Sequence, residues 1–278
     1  MASVTDGPAD PVLERLERYC DAAPRSGART ESIGPFTLFV STGMWPYYAR
    51  PSLGLDRDLV PEDVSRVRDR QTELGVPHTF EWIVETAPSV TAAARGAGLS
   101  AHELPLLQLR RSVPAPTPPG VRIRRVPADD PDLPRILAVS SVAFAHAGTS
   151  IGPAGPVERD QRVAQDPPIS PRLRARIEKG LMVLYVAEDR DGPIASGGHQ
   201  PLEGVTEVVG VATLPFARRR GLGAAITAAL VDDALAGGKR TVFLSASGDA
   251  VARVYERLGF ERVGHAGLAE PDRDGRHA

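Results

Sequence analysis

The chain has 278 residues, of which 42% are hydrophobic and 24% are charged, and this composition excludes disorder as its main state. The 33 basic and 35 acidic side chains give a net charge of −2, so we expect no general attraction to nucleic acid. The single cysteine, Cys20, excludes an intramolecular disulfide framework and a cysteine-based zinc site, and it agrees with a reducing compartment.

The sequence lacks the features of exported and membrane-spanning proteins. Residues 1–11 have no basic segment followed by an apolar one, which a secretory signal requires. No stretch approaches the roughly 18 uninterrupted apolar residues of a membrane-spanning helix. We therefore expect a cytoplasmic protein with no membrane partner.

Apolar spacing and turn residues predict helices that alternate with strands, which indicates an α/β architecture. In the first half the predicted elements are a helix over residues 11–23, a strand over 36–40, a helix over 61–74, a strand over 80–84, a helix over 88–95 and a strand over 104–109. In the second half they are a strand over 121–126, helices over 132–144 and 171–179, strands over 181–187, 194–199 and 206–213, a helix over 222–236, a strand over 241–245, a helix over 250–258 and a strand over 260–263. Residues 148–171 are predicted as a loop around a short helix.

Residues 112–120 contain four prolines in nine positions, which predicts an extended spacer and a domain boundary. The halves on either side share a repeat at one constant offset. Without a gap, this offset aligns residues 61–75 with 222–236 and residues 80–84 with 241–245. We interpret it as a duplicated helix–strand–helix–turn unit.

The most informative stretch is a basic turn that joins the strand over 206–213 to the helix over 222–236. Gly221 and Gly223 have no Cβ to obstruct a ligand, and the first amides of the helix have no acceptor within it. The helix dipole favours negative charge at this end, and three arginines at 218–220 add positive charge. The turn predicts a pyrophosphate site, with a solvated basic turn as the alternative. Rossmann and Walker spacings are absent.

The turn resembles the cofactor loop of the GNAT superfamily of N-acetyltransferases. Arg218, Gly221 and Gly223, which follow Pro215, form the pattern Arg/Gln-x-x-Gly-x-Gly/Ala of that family. Downstream, residues 255–260 are similar to the Tyr-x-x-x-Gly-Phe that ends such domains. The resemblance is strongest over residues 206–264 and implies an α/β fold of the mixed-sheet α+β kind, the GNAT acyltransferase fold, in the C-terminal half.

With the repeat, the resemblance predicts a smaller degenerate GNAT-like α/β domain before the acetyltransferase domain. The predicted divisions are a degenerate N-terminal domain at 1–112, a proline-rich linker at 113–120, a GNAT acetyltransferase domain at 121–265 and a polar tail at 266–278. In the first half Val60 and Glu62 stand at the positions of Gly221 and Gly223. Because a β-branched residue and an acid oppose pyrophosphate binding, the first half is expected to bind no cofactor.

The resemblance implies acetyl-coenzyme A as co-substrate, with no metal. Its pyrophosphate is expected on the amides of residues 219–224, and its pantetheine arm along β-strand backbone that includes a bulge at Gly210. The residues expected to bind it are Val211, Thr213, Arg218, Arg219, Arg220, Gly221, Leu222, Gly223 and Ala224.

The same resemblance implies two catalytic residues. Tyr255 matches the tyrosine that acts as general acid for the departing thiolate, and simple packing is the alternative. Glu207 occupies the strand position at which the histone-acetyltransferase branch carries its general base, and a solvated strand end is the alternative. His199 is a further candidate base, although a lone histidine at a strand end is more often structural. Gly248 departs from the family, which commonly has an asparagine there that contacts the cofactor arm.

These implications favour an enzyme that transfers an acetyl group from acetyl-coenzyme A to a primary amine by direct attack in a ternary complex. The acceptor is expected to be a small molecule or a peptide, selected by residues 148–171 and by the N-terminal half. Two interpretations are open for the distinctive residues of that half, which are 45–48 (Trp-Pro-Tyr-Tyr), Glu81, Trp82 and Glu85. They either line an acceptor pocket, or the aromatic rings are buried in the core and the acids are solvated. Two other functions stay open, a non-catalytic acyl-coenzyme A sensor and an acyltransferase that uses aminoacyl-tRNA.

Overall fold

The structure is a computed structural model that describes residues 11–41, 47–146 and 148–272. These residues form two compact units. The first unit comprises the described residues up to Leu106 and those from Val263 onward, and the second runs from Leu107 to Arg262.

Helices and strands alternate along the described chain, as predicted. From residue 11 to residue 109 they are α1 (Pro11–Ala22), β1 (Ala28–Ile33), β2 (Phe36–Ser41), β3 (Ala49–Pro51), α2 (Pro61–Leu74), β4 (Phe80–Ile83), α3 (Ser89–Gly96) and β5 (Ser100–Leu109). From residue 122 onward they are β6 (Arg122–Val126), α4 (Leu133–Phe144), α5 (Pro156–Gln165), α6 (Pro171–Glu178), β7 (Val183–Asp189), β8 (Gly192–Leu202), β9 (Val205–Thr213), α7 (Leu222–Ala236), β10 (Thr241–Ser245), α8 (Asp249–Glu256) and β11 (Phe260–Glu270). Within the described ranges, no helix has the length and apolar character needed to cross a membrane.

The sheet of the first unit has the strand order β1-β2-β3-β4-β11. The pairs β1–β2, β2–β3 and β4–β11 are antiparallel, whereas β3 is parallel to β4 with Ala49 opposite Phe80. Apolar side chains of β2, β4, α2 and α3 form its core, including Phe36, Leu38, Val64, Val67, Phe80, Trp82 and Val90.

The sheet of the second unit has the strand order β10-β9-β8-β7-β6, in which β9 is parallel to β10 and the other pairs are antiparallel. Helices α4 and α7 both pack on β8 and β9. A Cβ on Gly197 of β8 would lie 2.9 Å from Ile226 Cγ2, so the glycine allows α7 to approach closely. Mixed sheets covered by helices confirm the predicted fold class.

The duplicated unit is visible in the bounds of the elements. Helices α2 and α7 begin at Pro61 and Leu222, which the constant offset of the repeat aligns. The same offset aligns the first residues of β4 and β10, Phe80 and Thr241, and each of these strands is the second member of a parallel pair. The two units therefore repeat a parallel pair of strands connected through a helix.

The boundary between the units differs from the predicted one. It falls inside β5, between Leu106 and Leu107, and the proline-rich linker belongs to the second unit. Residues 112–118 form neither helix nor strand, as their prolines predict. They nevertheless stay with the second unit because Val113 N–H donates to the Leu258 carbonyl at 3.2 Å.

The predicted polar tail begins inside a strand, which corrects the end of the predicted acetyltransferase domain. Strand β11 continues to Glu270, and its residues from Ala266 to Ala269 pair with β4 in the first unit. Backbone pairing does not depend on side-chain polarity, so a polar composition did not reveal this strand. The same reason explains why the polar strand β1 and the short strand β3 were not predicted.

Candidate functional site

Strands β9 and β10 run side by side only at their beginnings. Their pairing covers three residue pairs and ends where Glu207 lies opposite Phe243. Strand β9 then continues to Thr213 without a β10 partner, although every residue of both strands is described. Val211 and Thr213 lie in this stretch, so backbone groups on that edge of β9 are available to a ligand.

A β-bulge lies in β9 beside the divergence. Gly198 of β8 is opposite Val209 of β9, and Ser196 is opposite Ala212. Between these two pairs, β9 has two residues where β8 has one, so β9 contains one extra residue. Gly210 lies in this bulged part of β9 and has a φ of 63°. The predicted bulge at Gly210 is confirmed.

The glycine loop, which we define as residues 218–224, leads from β9 into α7. Gly221 is the N-cap of α7 with a left-handed φ of 83°, and no side chain caps this helix end. A Cβ on Gly221 or on Gly223 would meet no atom within 4 Å, so the space in front of the first turn is open. The first amides of α7, residues 222–224, have no acceptor within the helix. Open space, amides and dipole together fit a phosphate-bearing ligand.

The three arginines of the glycine loop have different surroundings. Arg219 is exposed, has a φ of 66° that non-glycine residues rarely adopt, and makes no ion pair with the described residues. Arg220 is also exposed, and its Nη1 lies 3.8 Å from Asp189 Oδ2. The Arg218 guanidinium instead donates to three backbone carbonyls of residues 143–150, and burial lowers its pKa. The side chains of Arg219 and Arg220 are thus freer to contact a phosphate than that of Arg218.

Tyr255 lies in α8 with 8% of its surface exposed, and its ring contacts Phe260 edge to face at 6.0 Å. Burial raises the pKa of Tyr255 to about 12, so the phenol keeps its proton at neutral pH. Its oxygen makes no hydrogen bond with the described residues. Tyr255 therefore combines a packing role with a phenol whose proton is not shared with an acceptor among those residues.

The structure explains why the Tyr-x-x-x-Gly-Phe motif has a glycine at position 259. Gly259 has a φ of 90°, and a Cβ there would overlap the Arg111 carbonyl oxygen. The N–H groups of Arg110 and Arg111 donate to the Gly259 carbonyl at 3.0 and 3.3 Å. Close approach of two backbone segments, and not contact with a ligand, accounts for this glycine.

Glu207 is partly buried at the last residue pair before β9 leaves β10. Because side chains alternate along a strand, it points to the sheet face opposite that of Thr206 and Val208. Tyr255 has no hydrogen-bond partner among the described residues, so the two predicted catalytic groups are not bonded to each other. A proton acceptor and a proton donor on separate elements can serve different reacting atoms.

The structure also contains a buried relay that sequence reasoning missed. His199 is 2% exposed, its Nδ1 lies 2.9 Å from Thr206 Oγ1, and its Nε2 lies 3.1 Å from Asp233 Oδ2. Burial lowers the pKa of His199 despite the opposing effect of Asp233. In the neutral ring, Nε2–H donates to Asp233 and the Thr206 hydroxyl donates to Nδ1. Thr206 is fully buried, so the relay stabilises β8, β9 and α7 and the structural interpretation of His199 is favoured.

The distinctive residues of the first half have structural partners inside the first unit. Trp82 is 2% exposed in the core, and the Glu85 carboxylate accepts from His265 N and lies 2.8 Å from its Nδ1. Burial raises the pKa of Glu81 to about 7, and the nearby Arg50 charge opposes this shift. Trp45 and Pro46 lie outside the described residues. These contacts favour packing and pairing for Trp82 and Glu85.

Comparisons with known proteins agree with the geometry of the second unit. A model of the Acetyltransferase (GNAT) family matches residues 156–260. The mycothiol acetyltransferase of Rhodococcus erythropolis (strain PR4 / NBRC 100887) is 32% identical over 256 residues, covering 80% of this chain and 79% of that protein. The chain belongs to the GNAT acetyltransferase family. Membership of this family supports acyl transfer as the general class of reaction.

Other GNAT relatives differ in length or in sequence. The mycothiol acetyltransferase of Mycolicibacterium paratuberculosis (strain ATCC BAA-968 / K-10) is 33% identical over 201 residues. The match covers 64% of this chain and only 60% of the length of that protein. A GCN5-related N-acetyltransferase from Kribbella flavida has a TM-score of 0.67 at 21% identity, covering 95% of this chain and 97% of the other. A tandem GNAT protein from the clavulanic acid biosynthesis pathway has a TM-score of 0.53 at 15% identity, covering 86% and 79%. These solved structures support the GNAT fold.

Proposed function

We propose that this GNAT enzyme transfers an acetyl group from acetyl-coenzyme A to a primary amine by direct attack in a ternary complex. The observation that carries the proposal is the divergence of β9 from β10 after Glu207, followed directly by the open glycine loop. An extended ligand with a pyrophosphate at one end matches an unpaired strand edge that leads to a helix N-terminus. The acetyltransferase names of the relatives support acetyl as the group transferred.

The donor site consists of the glycine loop and the free edge of β9. The amide N–H groups of residues 219–224 would donate hydrogen bonds to the pyrophosphate oxygens, with positive charge supplied by Arg219 and Arg220. The backbone near Val211 and Thr213 would bind the pantetheine amides. Acetyl-coenzyme A supplies the activated thioester, and no metal is required. Within the described residues, no cluster of three or more His, Cys, Asp or Glu side chains is arranged to hold a metal ion.

Two residues would move protons during the transfer. The amine must lose a proton as its nitrogen forms a bond to the acetyl carbon, and we assign that proton to Glu207, directly or through water. As the carbon–sulfur bond breaks, the Tyr255 phenol donates its proton to the departing thiolate. Because burial holds the pKa of Tyr255 at about 12, this donor stays protonated across the neutral range.

The acceptor is proposed to be a small molecule that binds near residues 148–171. The acceptor is tested with a panel of amines. The relatives carry the name mycothiol acetyltransferase, so the acceptor of those enzymes is included in the panel. Release of free thiol from acetyl-coenzyme A in the presence of one amine, and not in its absence, would support acetyl transfer. If aminoacyl-tRNA supports transfer and acetyl-coenzyme A does not, the donor assignment is wrong.

The donor site is tested by adding bulk and charge to the glycine loop. Gly223→Glu should abolish acetyl-coenzyme A binding in calorimetric titration, because the carboxylate enters the space for the pyrophosphate. Gly223→Ala is the matched control, since a Cβ at this position meets no atom within 4 Å and the backbone φ is helical. Binding that survives in folded Gly223→Glu protein would place the donor elsewhere.

A further inference from the structure

Arg218 has an environment unlike that of a phosphate ligand. Its Nη2 lies 3.0 Å from the Ala143 carbonyl oxygen and 2.7 Å from that of His146, and its Nη1 lies 3.1 Å from that of Ser150. It forms no salt bridge with a carboxylate of the described residues. Its charge is therefore balanced by carbonyl dipoles.

The carbonyls around Arg218 belong to the end of α4 and to the connection that follows it. Helix α4 ends at Phe144, so Ala143 is in its last turn, where helix carbonyls carry partial negative charge, and its carbonyl oxygen also accepts from His146 N–H at 3.2 Å. A guanidinium has five donors in one plane and is well suited to hold several such oxygens at once. Arg218 thus acts as a C-terminal cap for α4 that is contributed by the glycine loop.

Backbone contacts strengthen the same connection. Gly152 N–H donates to the Pro215 carbonyl at 3.2 Å, and Phe216 N–H donates to the Ala154 carbonyl at 3.1 Å. A Cβ on Gly155 would lie 3.0 Å from the Phe216 ring, so this approach is close. Hydrogen bonds from both side chain and backbone therefore join the entrance of the glycine loop to the α4–α5 connection, which we define as residues 145–146 and 148–155 together with the last turn of α4.

The α4–α5 connection also presents apolar surface. Phe144 and Ile151 are each 65% exposed, and Val157 in the first turn of α5 is 64% exposed. Large apolar side chains this close together in the chain are costly to leave in water without a contact partner. Residues 148–155 of the connection belong to the segment 148–171, which the proposed function places at the acceptor.

We propose that Arg218 is a positioning residue for the acceptor, which holds the α4–α5 connection against the glycine loop and does not bind the phosphates of the donor. This inference rests on the proposed function, because it assumes that the acceptor contacts the connection. It assigns different roles to neighbouring arginines. Arg219 and Arg220 contact the donor, whereas Arg218 fixes the position of the α4–α5 connection, which contacts the acceptor.

The test compares Arg218→Gln with Arg219→Gln, a matched change at the adjacent exposed arginine. Arg218→Gln should raise the KM of the most active amine of the panel by about tenfold, the effect of losing hydrogen bonds from a charged group. Its acetyl-coenzyme A dissociation constant should stay within about twofold of wild type. Arg219→Gln should show the reverse pattern, with donor affinity weakened by up to about fivefold and an unchanged amine KM.

Hydrogen exchange gives a readout that needs neither donor nor acceptor. In Arg218→Gln the amides of residues 148–155 should exchange faster than in wild type, whereas Arg219→Gln should leave them unchanged. Arg218→Lys keeps the charge and should restore part of the protection, and it replaces the glutamine variant if that variant does not fold.

Two results would overturn the inference. A loss of donor affinity in Arg218→Gln, with normal exchange in residues 148–155, would make Arg218 a phosphate ligand. Faster exchange with an unchanged amine KM would reduce its role to stability. Failure of the wild-type protein to bind acetyl-coenzyme A would contradict the proposed function itself, and exchange would still decide whether Arg218 holds the connection.

Discussion

The Asp63 carboxylate accepts a hydrogen bond from the backbone N–H of Val60 at 3.2 Å. Val60 is the N-cap of α2, and the constant offset of the repeat aligns it with Gly221 of the glycine loop. Asp63 also pairs with Arg57, whose two terminal nitrogens lie 2.8 and 2.9 Å from its oxygens. In the first unit an internal carboxylate therefore occupies the helix end that is open in the second unit.

This arrangement predicts one acetyl-coenzyme A per chain. The helix end of α2 already holds an anion, and Val60 carries a side chain where Gly221 carries none, so a pyrophosphate would be repelled and blocked there. Calorimetric titration of the full chain should give a stoichiometry near one. Gly221→Glu should remove that binding completely, and a stoichiometry near two would contradict the prediction.

Tyr255→Phe should lower turnover by roughly 100-fold and leave acetyl-coenzyme A affinity within a few-fold, because it removes one general acid while the ring still packs. With the pKa of Tyr255 at about 12, this donor should cause no fall in wild-type turnover between pH 8 and pH 10. Tyr185→Phe, which removes a phenol that bonds Asp233, is the matched control. Equal turnover in Tyr255→Phe and wild type would assign thiolate protonation to another group.

Glu207→Gln should weaken the dependence of turnover on pH below neutrality, because the amide cannot accept the proton of the amine. Donor affinity should change little, since the glycine loop lies beyond the other end of β9. Glu203→Gln, on the exposed turn between β8 and β9, is the control for loss of one negative charge. If Glu207→Gln keeps the wild-type pH profile, Glu207 is not the base.

The His199 relay predicts a stability that depends on pH. Burial lowers the pKa of His199 below its usual 6.5, so the unfolded chain binds this proton more readily than the folded protein. Its stabilising contribution is present above about pH 6.5 and is lost as the pH falls further. The free energy of unfolding should therefore fall less between pH 7.5 and pH 5.5 in His199→Gln than in wild type.

Denaturant titration at the two pH values measures this difference. Thr206→Val should destabilise the protein by about 1 kcal/mol or more, because it leaves Nδ1 of His199 without its donor, and Thr206→Ser should recover most of that loss. Identical pH dependence in His199→Gln and wild type would show that the buried ring does not control it.

Much of the fold follows from local features of the sequence. Helices α2 and α7 begin and end at the predicted residues because proline, apolar periodicity and the following glycines act over a few residues. The open glycine loop was also predicted, since Gly221 and Gly223 lack a Cβ in any fold. The constant offset of the repeat is likewise a property of the sequence alone.

Contacts between distant residues required the tertiary structure. The sequence predicts Arg218 with its neighbours as a phosphate ligand, and only the tertiary structure shows its hydrogen bonds to the carbonyls of Ala143, His146 and Ser150, which are far from it along the chain. The bond from Val60 to Asp63 is local in sequence, yet only the helix geometry shows that it fills the end of α2. Backbone pairing with β4 also extends β11 into residues 266–269, which were predicted as part of a polar tail. Local propensity determines which elements form, but the partner of a charged or buried polar group depends on which elements pack together.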